Sequence, residues 1–146
     1  MSSYAEVEGE IVRWAEARKI IPNSTAKAQA QKTLEECGEL LEAATALYVL
    51  EQTGVSKDAP VYKMWLDKYK DAVGDVMVTL INGCALADVN LVNCMYQAYD
   101  EIKDRKGYMN EAGIFVKETP ANGAVGSSQK MQEPAGANGS SGPMTA

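Results

Sequence analysis

The fold is decided by residues 68–81, which read KYKDAVGDVMVTLI. Apolar residues fill most of the second half of this stretch, a composition that predicts a broadly buried, central helix over about residues 61–87. Asp75 lies inside the apolar run. A buried carboxylate needs a cation, a network of hydrogen-bond donors or a metal as its partner. The stretch therefore predicts both the central helix and a carboxylate that requires a partner.

Three further helices are predicted around this central, third helix. They cover about residues 4–19, 26–51 and 91–106, because apolar residues recur there at helical spacing. Asn90 is expected to cap the last of them and Gly107 to end it. The apolar stripes are Leu34, Cys37, Leu41, Ala44 and Tyr48 on the second helix, and Leu91, Cys94, Met95, Ala98 and Ile102 on the fourth.

The C-terminal part of the chain has a different composition. Residues 113–116 predict a short extended segment, and from residue 119 onward the chain is small, polar and free of aromatic residues. Such a composition cannot build a core, and we expect disorder there. The sequence thus predicts an all-α bundle of four to five helices over residues 1–118 and a disordered tail over residues 119–146.

Charge and composition exclude several classes of function. A net charge of −6 over 146 residues argues against nucleic-acid binding, which needs a basic face. No apolar stretch approaches the roughly 20 residues that span a membrane, and no secretion signal is evident, so we expect a cytoplasmic protein. The three cysteines are expected to be buried and reduced. The chain has no histidine, which excludes Ser-His-Asp catalysis and the common zinc sites and leaves oxygen ligands for Mg²⁺ or Mn²⁺.

Two acidic clusters on the second and third helices form a candidate site. Helical spacing places Glu35 and Glu39 on one stripe, continued by Glu42, and gives Asp71 and Asp75 a shared face on which Asn82 also falls. An acidic helix face is most often a solvated surface, and Asp71 alone could pair with a neighbouring lysine. Asp75 is harder to explain in that way. Taken together, the clusters favour a divalent metal held between the two helices.

Basic residues form a second group. Lys103, Arg105 and Lys106 close the fourth helix, where cations also favour the helix dipole without any binding role. We expect one or two of them, together with Lys32, to neutralise phosphate oxygens. Trp14 is expected in the core, with a base-stacking role as the alternative.

With these residues, the chain resembles the MazG-like all-α nucleoside triphosphate pyrophosphohydrolases, in particular their small phage-type members. That family has EExxE on one helix and ExxD on another. Here the first motif is complete in LEECGELLEA (residues 34–43), whereas the second becomes DAVGD (residues 71–75), with Ala72 at the glutamate position. The resemblance extends over about residues 7–118 and includes NSTAKAQAQKTLEE (23–36), AYDEIKDRKG (98–107) and GIFVKE (113–118).

The resemblance implies an activity and an assembly. It implies Mg²⁺-dependent cleavage of a nucleoside triphosphate between the α and β phosphates, in the host cytoplasm if the chain is phage-encoded. Glu36, Glu39, Asp71 and Asp75 would hold the metal, with Mn²⁺ as a substitute, and Glu35 would be a further ligand or the base. The implied catalytic residues are Glu35, Glu36 and Glu39, and the implied substrate contacts are Lys32, Lys103, Arg105, Lys106, Asn82 and Trp14. The resemblance also implies a homodimer or homotetramer. Two alternatives stay open, a nucleotide-binding or host-interaction protein without turnover and a purely structural helical oligomer.

Overall fold

The computed structural model describes residues 2–119, and it is dominated by helices. They are α1 (Tyr4–Ala17), α2 (Ile20–Asn23), α3 (Ala26–Gln52), α4 (Pro60–Leu86) and α5 (Leu91–Ile102). Strands β1 (Gly107–Met109) and β2 (Phe115–Lys117) follow as an antiparallel hairpin. The all-α class is confirmed for this part of the chain. The predicted tail lies outside the described residues, apart from Thr119.

Local chemistry explains where the helices begin. Ser3 and Glu6 form a capping box at the start of α1, in which each side chain accepts a hydrogen bond from the other residue's backbone N–H. Thr25 caps α3 and Asn90 caps α5 through their side-chain oxygens, and Pro60 occupies the first turn of α4. The predicted cap at Asn90 is therefore confirmed.

The predicted end of the last helix was wrong. Helix α5 ends at Ile102, and Gly107 belongs to β1 instead of closing the helix. A Cβ at Gly107 would collide with the Val116 carbonyl oxygen and the Phe115 ring, so the close pairing of the two strands requires glycine there. The extended segment expected at residues 113–116 is realised as β2, shifted by one or two residues.

Helices α3 and α4 form an antiparallel hairpin at the centre of the helical unit. Thr33 near the start of α3 donates a hydrogen bond to Thr79 near the end of α4, at 2.8 Å, and Tyr62 near the start of α4 donates to Glu51 near the end of α3, at 2.7 Å. These two bonds fix the direction and the register of the helices. Helix α1 packs against α4, which confirms the central position predicted for α4.

The core of the helical unit is small. Its buried apolar residues are Ala15, Ala43, Tyr62, Ala72 and Ile81. Large apolar side chains stay exposed on several helices, including Leu34 and Leu41 on α3 and Tyr96 and Tyr99 on α5. Two of the three cysteines, Cys37 and Cys94, are exposed, so the expectation of buried cysteines was wrong for both.

Two compact units divide between Asp104 and Arg105. The first contains the five helices, and the second contains the hairpin, in which Tyr108 pairs with Val116 and Gly113 adopts a positive φ of 76° in the turn. Within the described residues no single helix is long and apolar enough to cross a membrane. Helices α4 and α5 reach the required length and composition only as a pair, and that pair is bent by 103°.

Candidate functional site

The register of the α3–α4 hairpin brings the two acidic clusters towards each other. Thr33 contacts Thr79, and Gln29 lies against Gly83, so each step towards the end of α3 is matched by a step towards the start of α4. One turn beyond Thr33, Glu36 reaches the level of Asp75. The antiparallel packing therefore places the EExxE and DAVGD segments side by side.

Glu36 is the most deeply buried carboxylate of the described chain. Its residue exposure is 8%, whereas Asp75 is only partly buried. The sequence interpretation assigned the deep burial to Asp75, and in this respect it was wrong. The reason is the direction of the core face of α3, which coincides with Glu36 and Ala43, whereas Glu35 and Glu39 are exposed.

Lys32 supplies the cation that the sequence interpretation did not find. Its ammonium nitrogen lies 3.1 Å from Glu36 Oε1 and 3.2 Å from Glu35 Oε2. These hydrogen bonds, the one to Glu36 first, raise the pKa of Lys32 above its ordinary value. Lys32 was predicted to bind phosphate, but in this structure it neutralises the first acidic cluster.

The electrostatic environment of Asp75 links the two clusters. Burial raises the pKa of Asp75, and the negative charges of Asp71 and Glu36 raise it further, while Lys32 partly opposes them. An ionised Asp75 is therefore disfavoured by desolvation and by repulsion at once. A group of this kind is typical of a functional site, although ion-pair networks in ordinary cores also shift pKa values.

A small polar cavity lies beside this cluster. Its volume is about 270 Å³, and residues from both α3 and α4 line it. Its lining residues are Glu39, Glu42, Ala43, Trp65, Lys68, Asp71 and Ala72. Three carboxylates and Lys68 therefore line one cavity. From the sequence, Lys68 was considered only as a surface partner of Asp71. In the structure its ammonium nitrogen lies 4.5 Å from the centre of the Trp65 ring.

The acidic cluster offers carboxylate oxygens as donors for a divalent cation. Within residues 2–119, no group of three or more acidic or thiol side chains is close enough to hold a metal ion as it stands. The donor set itself fits Mg²⁺ or Mn²⁺, because it consists of carboxylate oxygens. A cation would also relieve the repulsion that Asp71 and Glu36 exert on Asp75.

A line of polar side chains continues from the carboxylates between α3 and α4. We call it the polar seam, and its residues are Thr33, Glu36, Asp75, Thr79 and Asn82. Asn82 is 3% exposed, and its side-chain oxygen has no hydrogen-bond partner in the part of the chain that the structure describes. A buried, unpaired amide oxygen is costly, so Asn82 agrees with the contact role predicted for it without demonstrating that role.

The remaining predicted contacts lie on α1, at the end of α5 and in the second compact unit. Lys103 pairs with Asp100 at 3.1 Å at the end of α5, whereas Arg105 and Lys106 are exposed residues of the second unit. Trp14 is 44% exposed on α1, with Arg18 5.9 Å from its ring centre, so the expected core position was wrong.

Sequence reasoning missed Trp65, Lys68 and the pairing of Lys32. A signal for Lys32 was present, since a lysine three and four residues before two glutamates is a common helical ion pair. Lys68 follows Trp65 by three residues, which also predicts contact. The position of Trp65 and Lys68 beside Glu39 and Glu42 depends on the register between α3 and α4. Residue spacing within one helix does not specify that register.

Comparison of the chain with protein family models, with curated proteins and with solved structures finds no match.

Proposed function

We propose that the chain is a Mg²⁺-dependent nucleoside triphosphate pyrophosphohydrolase that releases a nucleoside monophosphate and pyrophosphate. One observation carries the proposal: Asp75, partly buried between α3 and α4, lies in the field of Asp71 and Glu36. Repulsion and desolvation both work against such an arrangement in a purely structural core. Binding of a divalent cation accounts for it, and the EExxE and DAVGD segments support this particular chemistry.

The side chains have distinct roles in this proposal. Glu36, Glu39, Asp71 and Asp75 would hold the cation, and Asn82 would contact the substrate from the polar seam. When bound, Mg²⁺ would polarise the phosphate under attack and help to orient the attacking water. Glu35 is exposed and is held by Lys32 at 3.2 Å, so it is the side chain proposed to accept the proton of that water. Lys32 also pairs with Glu36 at 3.1 Å, and we propose that it contacts a phosphate from that position.

Release of pyrophosphate from a panel of standard and modified nucleoside triphosphates tests this function. We expect turnover with Mg²⁺ or Mn²⁺, loss of turnover with EDTA, and a loss of at least about 100-fold in Asp75→Asn, as for removal of one essential electrostatic contact. Asp67→Asn is the matched control, because Asp67 is an exposed aspartate of α4 paired with Lys70. Absence of turnover across the panel with both metals would contradict the proposal.

A nucleotide-binding protein without turnover is the second candidate, and Ala72 favours it. Ala72 is 3% exposed and occupies the position where the resembled motif has glutamate, yet it lines the cavity of about 270 Å³ beside Glu39. Ala72→Glu would therefore direct a carboxylate towards an existing cavity. A gain of turnover in Ala72→Glu but not in Ala72→Gln would identify the missing carboxylate as the cause of inactivity.

The proposal includes assembly of the chain as a homodimer or homotetramer. Leu34, Cys37, Leu41, Ala44 and Tyr48 form the apolar stripe of α3, with the alternating spacing of three and four residues that is typical of a helix–helix seam. Leu34 near one end of the stripe is 76% exposed and Tyr48 at the other end is 62% exposed, and these two ends are the part proposed to meet a second copy. An exposed apolar stripe of this regularity usually marks an interface.

A further inference from the structure

Trp65 lies where two cavities of the α3–α4 hairpin adjoin. The polar cavity of about 270 Å³ is lined by the carboxylates of Glu39, Glu42 and Asp71. A second, mostly apolar cavity of about 620 Å³ is open to solvent and is lined by Gly38, Leu41, Glu42, Thr45, Ala46, Val49, Leu50 and Trp65. Trp65 and Glu42 line both cavities. A ligand with one end at the carboxylates can therefore extend across Trp65 into the apolar cavity.

The two cavities differ in the chemistry that they can bind. The polar cavity combines Glu39, Glu42 and Asp71 with the ammonium of Lys68, which suits a cation and the phosphates that it carries. The larger cavity has the volume of a small-molecule site and offers aliphatic side chains and an indole ring. A ligand that uses both cavities therefore has a charged phosphate end and a flat, apolar end.

From this arrangement we propose that Trp65 and the apolar cavity bind the nucleobase of the nucleotide, and that Lys68 binds one of its phosphates. The inference rests on the proposed function, since it assigns the base end of that same substrate. Trp65 is partly buried, which restricts its ring and lowers the cost of ordering it on binding. Lys68, held 4.5 Å from the ring centre, lies among the residues of the polar cavity. Trp65 would thus determine specificity for a nucleoside over a bare polyphosphate.

Two ligands measured by calorimetry with Mg²⁺ test the inference. One is a nucleoside triphosphate with a methylene group in place of the α,β-bridging oxygen, and the other is inorganic tripolyphosphate, which lacks a base. In Trp65→Leu we expect the nucleotide to bind about 10- to 100-fold more weakly, the usual loss of base stacking, with little change for tripolyphosphate. Trp65→Phe should recover much of the nucleotide affinity, because it retains an aromatic ring.

Fluorescence provides an independent readout. Trp14 and Trp65 are the two tryptophans of the chain, so Trp14→Phe leaves Trp65 as the remaining indole emitter. After the affinities of this variant have been measured, the nucleotide with Mg²⁺ should change the Trp65 emission at saturation, whereas tripolyphosphate with Mg²⁺ should leave it nearly unchanged. Thermal unfolding of Trp65→Leu and Trp65→Phe identifies any general loss of folding.

The outcomes separate the inference from the proposed function. If Trp65→Leu weakens both ligands equally, or neither, the assignment of the base to Trp65 is overturned while a phosphate site remains. If Trp65→Leu alters self-association by sedimentation and leaves the affinity ratio unchanged, a second copy covers the apolar cavity and the inference is also overturned. If the wild-type protein binds neither ligand with Mg²⁺, the proposed function fails, and the inference fails with it.

Discussion

Shortening a leucine of the apolar stripe should weaken the assembly of the protein. Leu34→Ala removes three carbons, worth about 2.4 kcal/mol on full burial at ~0.8 kcal/mol per carbon. Leu34 is 76% exposed in the protomer, so an interface can bury at most about 1.8 kcal/mol of this. Two such side chains meet in a symmetric dimer. Their loss amounts to about 3.6 kcal/mol, or roughly a 400-fold weaker association.

Sedimentation equilibrium over a micromolar dilution series measures this change. Val7→Ala is the control, because it also shortens an exposed apolar residue, 42% exposed, but lies outside α3. The helical circular dichroism of the leucine variant should be retained, since Leu34 makes little contact within the protomer. A wild-type protein that is monomeric throughout the series, or a leucine variant that associates as strongly as wild type, would refute the assignment of the stripe to an interface.

Three further predictions concern residues of α4. Burial and the charges of Asp71 and Glu36 raise the pKa of Asp75 in the folded protein. Protonation of Asp75 therefore contributes to folding stability below the ordinary aspartate pKa of 3.8, and this contribution is lost as the pH rises through the raised pKa. In EDTA at neutral pH, Asp75→Asn should therefore melt at a higher temperature than wild type, and equal melting temperatures at all pH values would contradict this. Mg²⁺ at 100 times its dissociation constant should stabilise the wild-type protein, but not Asp75→Asn, by about 2.7 kcal/mol. Tyr62→Phe removes the 2.7 Å hydrogen bond to the exposed Glu51 and should cost about 1 kcal/mol in urea unfolding, a result that an unchanged midpoint would exclude. Asn82→Leu replaces a buried, unpaired amide and should raise the free energy of unfolding by about 1 kcal/mol while weakening nucleotide binding, so undiminished binding would remove Asn82 from the site.

The helices could be predicted from the sequence because their signals are local. The bounds expected for the second and third predicted helices differ from those of α3 and α4 by one residue at most. Periodic apolar residues, the Asn90 cap and Pro60 all act within a few residues of the chain. The end of α5 was misplaced because Gly107 belongs to β1, where it packs closely against the Phe115 ring. Phe115 lies eight residues further along the chain, so this contact is not local.

The candidate site could be predicted only in part, because its geometry depends on contacts between helices. Spacing on one helix identified Asp71 and Asp75 as neighbours, but it could not show that Glu36 is the acid that points into the core. Lys32 was predicted to contact phosphate, and its ion pair with Glu36 was not predicted, because the burial of Glu36 depends on the packing of α3 against α4. The contribution of Trp65 follows from the packing of α4 on α3, which no residue pattern within α4 encodes.

The proposed site lies in the packing interface between α3 and α4. Aliphatic side chains at Asp75 or Asn82 in the polar seam would strengthen the packing of α3 on α4 and remove two groups proposed to bind ligand. Selection of variants by heat resistance alone should therefore enrich inactive proteins. A heat-resistant variant that keeps its activity has to gain stability elsewhere, for example at the exposed faces of α1 and α5. The core of the described residues is small, so a ligand that binds the folded state as proposed would add to its stability.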